Sequence, residues 1–309
     1  MLPTDIRAVS FAVFARKGTF EKEETYRSLD ALISRTGCNA VTLVPFGLQD
    51  TPQSEDITWE RTVSDAELVR CISYIHEKGC AVFLKPTVNC ANGSWRAFIS
   101  FFEEDVICEP KWGNWFRSYS AFQCHYAEIA GRTGCELFIA GCEMVMSEHR
   151  EEEWRGVIRD IRKVYHGPVS YNTDKYQEHN VKWWDAVDII SSSGYYPSGS
   201  WDRELMRIEQ TVKTFGKPFF FAETGCMSVS GSAGCPNLWS LKGSADCKEQ
   251  EEWYREMTEA VKRHPFVRGI CLWDWPAMLY PEAEARLRKD YSIYAKPAEN
   301  VIREYFLGR

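Results

Sequence analysis

Pro218-Phe-Phe-Phe-Ala-Glu-Thr-Gly225 is the stretch whose reading decides the fold. Four apolar residues in a row, three of them Phe, predict a strand buried on both faces. A carboxylate, Glu223, follows at once, and then Gly225. A buried strand that delivers one acid at its C-terminal end is the way a barrel of parallel strands presents a reactive group. Leu137-Phe-Ile-Ala-Gly-Cys-Glu143 has the same shape, about 80 residues earlier.

The pattern extends in both directions from these two. Apolar runs at residues 8–15, 39–46, 80–88, 135–144, 169–173, 187–193, 219–222 and 269–275 predict eight strands. Helical periods fall between and after them, at 23–36, 116–130, 153–164, 202–215, 249–263 and 297–306, with a short helix at Trp183-Trp184. One more opens on the capping box Ser64-Asp-Ala-Glu67 and stops at Gly79. Eight strands alternating with eight helical patterns predict one α/β domain, a single (β/α)8 TIM barrel over residues 1–309, with no linker and no second domain.

Composition narrows the partners. A net charge of -7 argues against a nucleic-acid surface, which needs clustered Lys and Arg. No apolar run is long enough to span a membrane, and Met1-Leu-Pro-Thr-Asp-Ile-Arg7 has no signal-peptide pattern. The 12 Cys are scattered without a CxxC pair or zinc-type spacing, as buried thiols would be. Together these predict a cytoplasmic protein in a reducing compartment. Cys226, Cys235 and Cys247 share one loop, where a disulfide or a metal stays open.

In such barrels the strand ends build the site. Here they are Lys85 and Asn89, Glu143, Asn172 and Asp174, Tyr195 and Tyr196, Glu223, and Trp273 and Trp275. Carboxylates, amides, tyrosines and tryptophans suit an uncharged, polyhydroxylated substrate. No phosphate loop, nucleophile elbow or HExxH motif occurs, and the chemistry calls for no metal or cofactor. Two strand-end glutamates predict a two-carboxylate glycosidase acting on an oligosaccharide. The fourth and seventh strands face each other across the barrel, so the pair is expected at the shorter spacing of a retaining enzyme. Trp95, Trp112 and Trp239 fall in long loops, where stacking on sugar and packing of the loop are both open.

The chain resembles glycoside hydrolase family 113, the β-mannanases of clan A. The matching pieces are Ser10-Phe-Ala with Arg16-Lys-Gly, Leu84-Lys-Pro-Thr, Gly141-Cys-Glu143, Glu153-Trp-Arg155, Gly194-Tyr-Tyr-Pro197, Ala222-Glu-Thr-Gly225 and Leu272-Trp-Asp-Trp275. They run in order over nearly the whole length. The resemblance implies retaining hydrolysis of β-1,4-mannosides, with Glu143 as acid/base and Glu223 as nucleophile; apolar surroundings and the nearby charge are expected to keep Glu143 protonated. It also implies a tyrosine from the sixth strand on the nucleophile and a tryptophan from the eighth under the reacting sugar. One departure concerns the residue before the acid/base. Many clan A enzymes place Asn there, to bond the sugar 2-hydroxyl; here it is Cys142, which leaves that task to Asn172 or Lys85. Another clan A specificity (xylan, β-glucoside or β-glucosaminide) is the nearest alternative. An enzyme that mainly transfers glycosyl groups, or a non-catalytic sugar-binding barrel, stands further off.

Overall fold

The computed structural model describes residues 2–308. Eight parallel strands close into a barrel: β1 (Ile6–Phe11), β2 (Ala40–Leu43), β4 (Ala81–Leu84), β6 (Leu137–Cys142), β7 (Val169–Thr173), β8 (Ile189–Gly194), β9 (Phe219–Thr224) and β10 (Val267–Trp275). β10 pairs back onto β1. The helices are α1 (Glu23–Thr36), α2 (Asp65–Glu77), α3 (Trp112–Thr133), α4 (Glu151–Val164), α5 (Trp201–Phe215), α6 (Cys247–Arg263), the short α7 (Glu282–Ala285) and α8 (Pro297–Leu307). α2 begins on the expected capping box, with Ser64 Oγ accepting from Glu67 N and Glu67 returning to Ser64 N. Among the described residues no helix is long and apolar enough to cross a membrane.

Three expectations are corrected. The runs at 39–46 and 80–88 are not single strands. Each breaks at a proline, Pro45 and Pro86, which has no N–H to give to the ladder. The chain then turns outward, and β3 (Phe46–Gln49) pairs with β5 (Thr87–Cys90) in a separate two-stranded sheet. Lys85 sits at the break, its N–H held by Leu43 O at 2.9 Å. The short helix expected at Trp183-Trp184 is present in the link from β7 to β8, but as a 3₁₀ turn over Trp184–Ala186. Trp183 and Trp184 pin that link, donating to Glu148 O and Glu178 O. Finally, Trp112 and Trp115 lie on α3, which starts earlier than its periodicity implied.

The barrel interior changes character along its axis. Its lower part is an apolar plug that includes Ile6, Phe83, Leu137, Ile139, Phe220 and Ala222. Above it come Lys85, Asn172, Ser193 and Glu223, all buried. A strand alternates its side chains, so one inserted residue moves everything beyond it to the other face. That happens on both glutamate strands. On β9 the register steps from Ser192↔Phe221 to Ser193↔Glu223, leaving Ala222 unmatched. Phe220 and Ala222 point inward, so strict alternation would aim Glu223 at the helices; the extra residue turns it back to the mouth. On β6 the register steps from Ile139↔Ser170 to Cys142↔Asn172, and Cys142 and Glu143 both reach the mouth.

Gly141 makes the second bulge possible. Its φ is 123°, and a Cβ there would lie 2.2 Å from the hydroxyl of Tyr119, which itself bonds Ala140 O. Gly141→Ala is expected to destabilise the fold by about 2–4 kcal/mol, from backbone strain plus overpacking. Urea unfolding monitored by fluorescence measures this; an unchanged midpoint would mean that the bulge does not depend on glycine.

Candidate active site

The C-terminal mouth of the barrel brings two carboxylates together. One oxygen of Glu143, one of Glu223 and the Cys142 sulfur all lie within 4.8 Å of one another. The two acids are otherwise held quite differently.

Glu223 is gripped on both oxygens. Lys85 Nζ donates to Oε1 at 2.5 Å, and the Cys142 thiol donates to the same oxygen at 3.2 Å. Tyr195 Oη–H donates to Oε2 at 2.9 Å. Lys85 is fully buried and also lies 3.5 Å from Asn172 Oδ1 and 5.3 Å from the centre of the Trp273 ring. Burial pushes the Glu223 carboxyl up, but the charge and hydrogen bond of Lys85, then the charge of Arg96 and the hydrogen bond of Cys142, outweigh it and hold the group below its ordinary value. Burial pulls Lys85 down, and Glu223 more than restores it. The two form an ion pair at neutral pH. Burial and the Glu223 charge together push the Cys142 thiol up, so it stays a thiol and a donor.

Glu143 does not sit in apolar surroundings, contrary to expectation. Ser193 Oγ–H donates to Oε1 at 2.7 Å; Trp95 Nε1–H and Arg96 Nη1–H donate to Oε2 at 3.1 and 3.3 Å. Its own N–H is fixed on Asn172 O at 2.7 Å.

Sequence reasoning missed Arg96 and Ser193. Arg96 follows Trp95 in a tryptophan-rich loop, and nothing local marked it as buried. Ser193 closes the polar run Ser191-Ser-Ser193 at the end of an otherwise buried strand, which was a usable signal.

The other expected residues divide. Tyr195, Lys85, Trp273 and Trp95 reach the two carboxylates or their immediate neighbours. Asn172 is at the site but wholly buried, its amide donating to Thr173 O and Ser193 Oγ. Asn89 faces Arg96, accepting from Nη2 at 2.7 Å, and so positions that arginine rather than standing free for a ligand. Two residues are misplaced by the sequence reading. Tyr196 is fully buried behind the barrel wall, bonded to Glu178 and packed on Trp201 and Phe221. Trp275 is also fully buried and donates to Ser28 on α1. β10 carries one extra residue against β1 between Leu272 and Trp275, so Trp273 and Trp275 do not share a face.

The loop tryptophans separate too. Trp112 is buried among Phe101, Trp115 and Phe116. Trp239 is 74% exposed. All twelve cysteines are free thiols; Cys226 bonds Met227 O and Ser232, Cys235 bonds Gly231 O, and Cys247 bonds Arg286 O. Cys142, Glu143 and Glu223 are the one convergent set of ligand-type side chains among the described residues. Lys85 and Arg96 already lie against its oxygens, so fixed cations stand where an ion would.

The arrangement offers an anionic carboxylate facing a second, hydrogen-bonded carboxyl across a gap that one glycosidic bond could occupy. The comparisons with known proteins agree. The family model of glycoside hydrolase family 113 matches residues 9–296. A solved family 113 β-1,4-mannanase is 48% identical over 99% of both chains, with a TM-score of 0.97. The family 113 β-mannanase of Alicyclobacillus acidocaldarius is 40% identical over 98% of this chain and 97% of its own, with a TM-score of 0.95. A β-glucuronidase of Ruminococcus gnavus, at 14% identity and a TM-score of 0.62, shares the fold over 92% of this chain and 46% of its own. No curated protein sequence matches. On the matched span and these identities, the chain belongs to glycoside hydrolase family 113 and is a glycoside hydrolase.

Proposed function

We propose that the enzyme cleaves β-1,4-linked mannosides with retention, Glu223 acting as nucleophile and Glu143 as acid/base. The observation that carries this is the pair itself: two carboxylate oxygens within 4.8 Å, one carboxylate paired with a buried lysine. That upper bound on the oxygen–oxygen gap accords with the close pair of retaining enzymes, about 5–5.5 Å between carboxyl groups, rather than the roughly 6.5–9.5 Å that leaves room for water in inverting ones. The mannoside specificity follows the two family relatives described as β-mannanases.

In the first step an oxygen of Glu223 bonds the anomeric carbon while the bond from that carbon to the leaving oxygen breaks. Glu143, in its protonated form, gives its proton to that oxygen. In the second step Glu143 takes a proton from water, the water oxygen bonds the anomeric carbon, and the ester to Glu223 breaks. Lys85 favours both ends of the cycle in which Glu223 is an anion. Tyr195 fixes the angle of the attacking carboxylate. The half-buried face of Trp273, with Phe14 against it at 5.7 Å, forms the floor for the reacting sugar. The amide hydrogens of Asn172 are already used and Lys85 is fully buried, so neither stands free to read the sugar 2-hydroxyl. The twelve free thiols support a reducing compartment as the site of action, with oligosaccharides as substrates.

The deciding experiment is hydrolysis of mannotetraose followed by NMR. A β-configured first product is expected; an α-configured one would exclude double displacement. Glu143→Ala should lower kcat on mannotetraose by about 10²–10⁴-fold. Azide should then restore turnover of an activated aryl mannoside, yielding the β-mannosyl azide. An α-azide, or no azide product, would remove Glu143 from the acid/base role.

A further inference from the structure

A third carboxyl lies at the same mouth. Asp174 follows the end of β7 and is 8% exposed. Among the described residues no side chain donates a hydrogen bond to it, and its cation partner, Lys175, stands 3.9 Å away. β7 pairs with β6, with Cys142 opposite Asn172 and the Glu143 N–H on Asn172 O, so Asp174, two residues on, lies on the Glu143 side. The Lys175 N–H is its one hydrogen-bond donor among the described residues, and a carboxyl can take several, so it keeps hydrogen-bonding capacity for a ligand at this strand end.

The same side carries exposed apolar groups. Trp95 bonds Glu143 and meets Phe98 edge-on at 5.8 Å. Residues 96–98 pack against residues 145–147, which brings Met146 alongside. Phe98 is 59% exposed and Met146 48%. An apolar platform beside one carboxyl with hydrogen-bonding capacity to spare matches a sugar ring, which offers a C–H face and hydroxyls at its edge. Under the proposed function Glu143 protonates the leaving oxygen, so the sugar attached to that oxygen falls here.

We propose that Asp174, with Trp95, Phe98 and Met146, forms the binding site for the sugar on the leaving side of the cleaved bond. Burial, and then the charge of Glu143, push the Asp174 carboxyl up to about 8. At neutral pH it therefore carries a proton and both donates and accepts, as a sugar hydroxyl does. This inference rests on the proposed assignment of Glu143.

The test compares two substrates of the full-length enzyme. Mannotetraose places a sugar on the platform; β-mannosyl fluoride has a leaving atom too small to reach it. Asp174→Ala should lower the ratio of kcat/KM for mannotetraose over the fluoride by about tenfold, the effect of one lost hydrogen bond to a bound ligand. Asp174→Asn, whose amide also donates and accepts, should lower it by less than about threefold. Phe98→Ala, on an exposed ring, should lower the same ratio by about threefold and tests the platform even if Asp174→Ala folds poorly. An unchanged ratio in both alanine variants overturns the inference. Equal loss on both substrates also overturns it, because that places these residues with the reacting sugar. A wild-type enzyme inert on both substrates overturns the assigned function along with it.

Discussion

Glu223→Gln is expected to lower turnover of mannotetraose on the order of 10⁴-fold or more while the protein stays folded. The amide keeps the shape of the carboxylate and can still accept from Tyr195. It cannot attack the anomeric carbon to form an ester, so the first step has no covalent route. The glycosyl-enzyme gives a second readout: a 2-fluoro-mannoside with a good leaving group should add its mass to the wild-type peptide containing Glu223 and not to the variant. Activity within tenfold of wild type, or labelling of another residue, would sink the assignment.

Lys85→Met is expected to have the next largest effect, and on the pH profile as well as the rate. Burial acts to raise the Glu223 carboxyl, and Lys85 is the largest influence opposing it. Without the ammonium the burial acts with less opposition, so the carboxylate is lost at a higher pH. The acid limb of kcat/KM should therefore move to higher pH, with partial recovery of activity above it. An acid limb that stays in place would show that Lys85 does not set the charge of the nucleophile. The sign carries over to stability. The Glu223 value is depressed in the folded state, so its contribution is present above the unfolded value and lost as pH falls through the folded one. Acid unfolding of Lys85→Met should lack that step, which a fluorescence titration would register.

These two predictions locate what is distinctive in the site. Glu223 takes its charge from a lysine at a strand break, and the residue beside Glu143 is a thiol that donates to Glu223. An amide at Cys142 would supply two donors; a thiol supplies one, and weakly. The polar work around the reacting carbon is thereby concentrated on Lys85 and Tyr195. Arg96 has the corresponding role on the other acid, tied down by Asn89 and Val88 O.

Local pattern was enough for the barrel and for its two acids. An apolar run of four to eight residues followed by one carboxylate has few other uses than a buried strand opening on a site, and helical periods between such runs leave little choice of architecture. Lys85 was legible for the same reason: a charge that ends an apolar strand must have a partner. Which face each side chain takes was not legible. Strict alternation would have turned Glu223 away from the mouth and put Trp275 beside Trp273. The inserted residues on β6, β9 and β10 decide otherwise, and they are defined only by the neighbouring strand's register. Arg96 and Ser193 escaped for a related reason. Each earns its place through a partner about 50 residues away in the chain, Glu143, and no local period records a contact of that range. The sequence by itself determined the barrel and the two carboxylates. The tertiary structure decided what surrounds each of them, because register and long-range contact, not local composition, place donors around a charge.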